Sequence, residues 1–185
     1  FTLFRQRRMA LFFVFSMLLG VSLQITNGFA NPFITSFRDI PQYASTFGAN
    51  HANALISLSQ VSETLCILLI PFFLKRFGIK NVMLMAMFAW VLRFGLFGLG
   101  NPGSGVWMFV LSMIVYGVVM IMTNGVGATI GTLGAQAVVN RCVYSQSTPE
   151  AMVGGWSESW LIFAGYALVV TLVFALVFRY RHDPA

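Results

Sequence analysis

The amino-acid sequence predicts an all-α protein that crosses a membrane several times, and three observations carry that reading. Of the 185 residues, 58% are hydrophobic and only 9% are charged, against about 25% charged in an ordinary soluble domain. The apolar residues gather into runs long enough for helical spans of about 20 residues, and the alternation of a β-barrel strand is absent. Basic residues flank these runs, as the positive-inside rule expects: Arg5, Arg7 and Arg8 precede the first, Lys75, Arg76 and Lys80 separate two, and Arg179 and Arg181 follow the last. The composition excludes an ordinary soluble enzyme, a disordered chain and a disulfide-rich secreted module. The formal charge of +6 does not point to nucleic acid, because no soluble basic face remains to hold phosphates.

The first apolar run extends from Met9 to about Asn31 and is expected to stop at Pro32. A polar loop is expected to about Asn50. The second run is Ala54 to Leu74, followed by the basic turn Lys75-Arg-Phe-Gly-Ile-Lys80, and the third is Val82 to Leu99, closed by Gly100-Asn-Pro-Gly103. The fourth stretch, Val106 to Val139, is unusually long. A polar loop from Asn140 to Gly155 then leads to the last run, Trp156 to Phe178. The first Met is Met9 and no secretory signal is recognisable, so the chain is expected to begin inside a longer protein.

Orientation tests this division. With both basic ends inside, the first three helices end outside, at Asn101, and the last must enter from outside. Trp156 and Trp160 are then expected at the outer interface. The Val106–Val139 stretch must start and finish outside, yet it is too short for two crossings of about 20 residues and a turn. Either it forms a tight or re-entrant hairpin, or one end is inverted, or residues are missing from it.

Polar side chains inside apolar helices are costly and therefore informative. In the first helix Ser16, Gly20, Gln24, Asn27 and Asn31 step by three or four and share a face. In the second, Asn53, Ser57, Gln60 and Glu63 or Thr64 do the same. Amides donate and accept, so they suit a ligand of mixed donors and acceptors such as a base or a sugar. The alternative is that they simply hydrogen-bond helix to helix. Glu63, an ionisable group near mid-helix, is read as functional and as a candidate proton carrier. Arg93 either binds an anion or pairs with Glu63, or it snorkels outwards or caps a neighbouring helix; the structural role is preferred. Tyr116 and Trp107 offer aromatic surface for stacking or for packing. Gly127 and Gly131 have the spacing for close helix approach. Cys66, Cys142, His51 and His182 form no metal-ligand spacing, and no cofactor is expected.

The turn Pro71-Phe-Phe-Leu-Lys-Arg-Phe-Gly-Ile-Lys80 resembles the short basic loop repeated in the two halves of major facilitator transporters. Longer strings are more specific: Leu23-Gln-Ile-Thr-Asn27, Ser57-Leu-Ser-Gln-Val-Ser-Glu-Thr-Leu65, Ala89-Trp-Val-Leu-Arg-Phe94, Leu111-Ser-Met-Ile-Val-Tyr-Gly117 and Trp160-Leu-Ile-Phe-Ala-Gly-Tyr166 occur in one order. Together they resemble the C-terminal half of the nucleoside:proton symporters, the nucleoside and xanthosine permeases. The resemblance covers essentially the whole chain. It departs after Tyr116-Gly117, where about one helix-length of family sequence has no counterpart.

The resemblance implies a C-terminal six-helix half of a major facilitator transporter, with its fourth and fifth helices merged or truncated and its N-terminal half absent. It implies a nucleoside site formed by Gln24, Asn27, Gln60, Glu63 and Tyr116, with nucleoside and proton as the transported species, in the bacterial inner membrane among lipids. The chain is expected to be inactive alone, and it is not expected to be an enzyme. The competing reading is a membrane scaffold that dimerises through Gly127 and Gly131 and transports nothing.

Overall fold

The computed structural model describes residues 7–119 and 127–178. Helix α1 is Arg7–Ser36, a 3-10 turn covers Phe37–Asp39, and α2 is the short Phe47–Asn50. Helix α3 is Ala52–Leu99, α4 is Val106–Val119, α5 is Gly127–Cys142 and α6 is Pro149–Val177. No strand occurs among the described residues. The helices α1, α3 and α6 are long and apolar enough to cross a membrane.

Helix α1 does not stop at Pro32; the proline lies inside it. Proline removes one backbone donor, but in a membrane Ser and Thr side chains and packed neighbours offset that loss. Here the Thr35 hydroxyl donates to the Asn31 carbonyl at 2.9 Å and the Ser36 hydroxyl to the Phe33 carbonyl at 2.7 Å, bonds that brace the turn after the proline rather than the Gly28 carbonyl it frees. Phe33 and Ile34, just past the proline, are fully buried. Their packing carries the helix on, and the expected loop shrinks to the segment holding the 3-10 turn and α2.

Helix α3 has 48 residues, about 72 Å if straight and far more than one crossing. It breaks at Gly78, where φ is 72° and ψ is 162°. That region is open essentially to glycine alone. The chain folds back there, so α3 consists of two arms, 52–77 and 79–99. Ser62 on the first arm donates to the Ile114 carbonyl, and Arg93 on the second donates to the Ser112 carbonyl. Both arms therefore meet the same turn of α4. The basic turn expected between two helices is this fold-back, tightened to one residue.

Within the Val106–Val139 stretch two helical segments are described, α4 and α5, on either side of residues 120–126. The described segments have 14 and 16 residues, about 21 and 24 Å. Helix α4 packs on α3, whereas α5 packs on α1 and α6. Gly131 lets α5 approach α1: a Cβ there would lie 2.7 Å from the Val21 Cα. The expected contribution of Gly127 is not decided by the described side chains.

Helix α6 begins seven residues earlier than expected, by an ordinary start signal. Thr148 is its N-cap, accepting from the Ala151 amide at 3.3 Å, with Pro149 first in the helix and Glu150 in the first turn. Trp156 and Trp160 consequently lie a turn or more inside α6. They are buried within the bundle. Trp160 packs against Phe33, Phe94, Phe97 and Phe163 with centroids 4.9 to 5.7 Å apart. Lipid is as apolar as leucine, so no hydrophobic drive sorts side chains inwards; dispersion and hydrogen bonds to backbone carbonyls hold the helices. The aromatic cluster supplies the first. The Ser157 hydroxyl on the Gly98 carbonyl and the Tyr166 hydroxyl on the Leu18 carbonyl are examples of the second.

Candidate functional site

The two polar stripes read from the sequence lie on α1 and on the first arm of α3, and they converge. At one end Asn31 donates its amide to the Asn53 carboxamide oxygen at 3.0 Å. This pair ties helix to helix. The hydroxyls of Ser57 and Thr64 are spent on their own helix, on the carbonyls of Asn53 and Gln60. It is Glu63, not Thr64, that faces inwards from this part of the arm.

Beyond the Asn31–Asn53 contact a cavity of about 420 Å³ opens between α1, both arms of α3 and α4. Thr26 and Asn27 line it from α1, Gln60 and Glu63 from the first arm, Arg93 from the second and Tyr116 from α4. The volume falls within the range of small-molecule sites, about 300–1,000 Å³. Asn27, Gln60, Glu63 and Tyr116 are thus brought together. Gln24 is not among the lining residues. A step of three residues from Asn27 turns about 60° and drops about 4.5 Å along the axis, which carries Gln24 beyond the cavity edge. Trp107 is not part of the site either; it is 55% exposed at the start of α4.

Arg93 is only 1% exposed. One guanidinium nitrogen donates to the Ser112 carbonyl at 2.6 Å, and Nε donates to the Thr26 hydroxyl at 3.4 Å. The Ser112 hydroxyl returns a bond to the Arg93 carbonyl at 3.2 Å. The guanidinium carbon lies 4.4 Å from the Tyr116 ring centre and 4.9 Å from that of Phe97. The preferred sequence reading, a structural role, fits the Ser112 contact, which ties the second arm of α3 to the middle of α4 rather than capping its end. Arg93 makes no ion pair with Glu63 among the described residues, although both line the cavity. The Tyr116 hydroxyl donates to the Asn27 carboxamide oxygen at 3.4 Å. Arg93, Tyr116, Asn27 and Thr26 therefore link α3, α4 and α1 around the cavity wall.

Chemically, the wall combines the amides of Asn27, Asn31 and Gln60, the hydroxyls of Thr26, Ser59 and Tyr116, a carboxyl, a guanidinium and an aromatic face. It can exchange hydrogen bonds in both directions with a neutral polar ligand, and its carboxyl can hold or release a proton. Thr26 and Arg93 belong to it and were not among the expected ligand residues. Thr26 was legible as the polar neighbour of Asn27; for Arg93 the signal was a charge inside an apolar helix. Among the described residues no group of His, Cys, Asp and Glu is arranged to hold a metal.

A family model described as "Nucleoside H+ symporter" matches residues 1–120 and 117–183, so the two matched segments meet at the end of α4. The chain is 44% identical over 211 residues to the nucleoside permease NupG of Escherichia coli (strain K12), covering 98% of this chain and 49% of that protein. It is 43% identical over 213 residues to the xanthosine permease of the same organism, covering 100% and 50%. A crystal structure of the nucleoside transporter NupG superposes with a TM-score of 0.86 at 42% identity, over 98% of this chain and 50% of that one. The chain spans about half the length of the curated relatives it matches.

Proposed function

The chain belongs to the nucleoside H+ symporter family, and we propose that it forms one wall of a proton-coupled nucleoside uptake site. It is a multi-pass inner-membrane protein, and the relatives named above are permeases rather than enzymes. In this reading nucleoside binds between the cavity wall and a second six-helix half, and the two halves rock about it by alternating access. Asn27 and Gln60 hydrogen-bond ribose and base, Tyr116 offers its ring, and Glu63 carries the proton. Gln24, beyond the cavity edge, would reach the ligand only if the second half extends the site towards it.

The observation that carries this reading is the gathering of Asn27, Gln60, Glu63 and Tyr116 around one 420 Å³ cavity. The comparisons around α4 and α5 fit the same account. The regions aligned with the two permeases, 211 and 213 residues, are longer than the chain itself, and the family match breaks at residues 117–120. We read α4 and α5 as the truncated fourth and fifth helices of a C-terminal half.

The scaffold reading has one feature against it. It needs Gly131 on an outer surface, and Gly131 is buried against Val21 of α1.

Binding of tritiated nucleosides to the purified protein in lipid nanodiscs tests the proposal. Saturable, weak binding that falls on Gln60→Ala and on Glu63→Gln is expected. Binding indifferent to both substitutions would favour the scaffold. Cells making only these 185 residues are expected to take up no more labelled nucleoside than empty cells. Uptake above that level would overturn inactivity of the chain alone.

A further inference from the structure

Arg93 is the one cation in the cavity lining and Glu63 the one acid. Arg93 is almost completely buried, and among the described residues no carboxylate pairs with it. A buried cation is normally neutralised, because an uncompensated charge in an apolar medium is costly. Its direct partners here are neutral: the Ser112 carbonyl at 2.6 Å, the Thr26 hydroxyl at 3.4 Å, and the rings of Tyr116 and Phe97. Carbonyl and ring contacts orient the guanidinium plane but leave its charge in place. Tyr116 lines the same cavity as Glu63 and Arg93, with its ring stacked on the Arg93 guanidinium. With Glu63 ionised the cavity lining is neutral; with Glu63 protonated it carries one positive charge.

Within the nucleoside-site reading, we propose that Arg93 is the positioning residue of the cavity: a fixed counter-charge for Glu63 that also sets the pose of Tyr116 by stacking. The two roles use different properties of the side chain. The counter-charge needs only a positive group at this depth. The Tyr116 pose needs a flat cation, since the ring stacks on the guanidinium and its hydroxyl is thereby held beside Asn27. Lysine should therefore preserve the first role and lose the second.

The test is a double-mutant cycle on the purified protein in nanodiscs without nucleoside, using Glu63→Gln, Arg93→Gln and the double variant. Thermal unfolding is followed by tryptophan fluorescence. The Tm shift caused by Glu63→Gln is expected to differ by at least about 2 °C between the wild-type and Arg93→Gln backgrounds. Equal shifts would mean that Arg93 only ties α3 to Ser112, and the proposal would fall. If Arg93→Gln does not fold, Arg93→Met takes its place, with the same difference of at least about 2 °C expected and equal shifts again overturning the proposal. A separate nucleoside titration reads the second role: Arg93→Lys should weaken affinity at least about fivefold, and unchanged affinity would remove the Tyr116 part. If no variant, nor the wild type, binds nucleoside, the functional reading fails while the thermal cycle still decides the counter-charge.

Discussion

Phe33 and Asn27 stand less than two turns apart on α1, and they face two different kinds of interior. Phe33 is surrounded by Phe37, Phe97, Phe109, Trp156 and Trp160, mostly edge to face at 5.4 to 5.8 Å. Asn27 lies in the cavity wall beside Gln60, Glu63, Arg93 and Tyr116. In the aromatic cluster each ring gains from dispersion and from quadrupole contacts with its neighbours. The wall of the cavity is incomplete. Its amides and carboxyl have donors and acceptors in excess of their partners, and in a membrane such groups are retained where something polar passes. One region packs the bundle together; the other leaves polar side chains facing a cavity, where the proposed ligand would bind. Arg93, stacked on Phe97 of the cluster and on Tyr116 of the wall, joins the two.

This division predicts that the cluster governs stability and the wall governs binding. The largest expected effect is on stability: Phe33→Ala should cost about 3–5 kcal/mol, read as a fall in unfolding midpoint. A loss below about 1 kcal/mol would show that the cluster is not the organising core. Gly78→Ala should cost about 1–3 kcal/mol, because any Cβ is strained at φ 72° and ψ 162°; an unchanged midpoint would mean that the fold-back adopts another geometry. Gln60→Ala should lower nucleoside affinity about tenfold, about 1.4 kcal/mol, while leaving the midpoint nearly unmoved. A matching fall in stability would make Gln60 helix glue instead. The smallest effect is expected of Tyr116→Phe. It loses a long, 3.4 Å hydrogen bond to Asn27 but keeps the ring over Arg93, so affinity should change less than about fivefold. A larger loss would put the hydroxyl itself on the ligand.

Much of this was legible in the sequence. The polar stripes could be read because a helix repeats every three to four residues, and that periodicity already placed Asn27 with its stripe and Gln60 with Glu63. It placed Gln24 with them as well, because spacing assigns a face but not where along that face a cavity ends. The start of α6 was also present, as Thr148-Pro149-Glu150, a capping signal that the polar character of the surrounding residues outweighed. Pro32 misled in the other direction: proline costs a helix one backbone bond and a steric clash, but here the burial of Phe33 and Ile34 carries the helix past it. The rule that favours tryptophan at interfaces could not say what Trp156 and Trp160 pack against, because their neighbours Phe33, Phe94 and Phe97 come from distant parts of the chain.

The amino-acid sequence by itself determined that this chain is helical, crosses a membrane repeatedly, belongs with nucleoside symporters and carries polar stripes on its first two long helical segments. Those properties follow from local composition and from spacing along one helix. Only the tertiary structure decided that Arg93 reaches the same cavity as Glu63, that Trp160 is core, and that α4 and α5 part to pack on different helices. The reason is the solvent. In water, burial sorts apolar from polar side chains, so a hydropathy pattern predicts the inside. In lipid an apolar residue is equally at home facing a neighbouring helix or an acyl chain, and only shape and hydrogen bonding between remote segments choose between them.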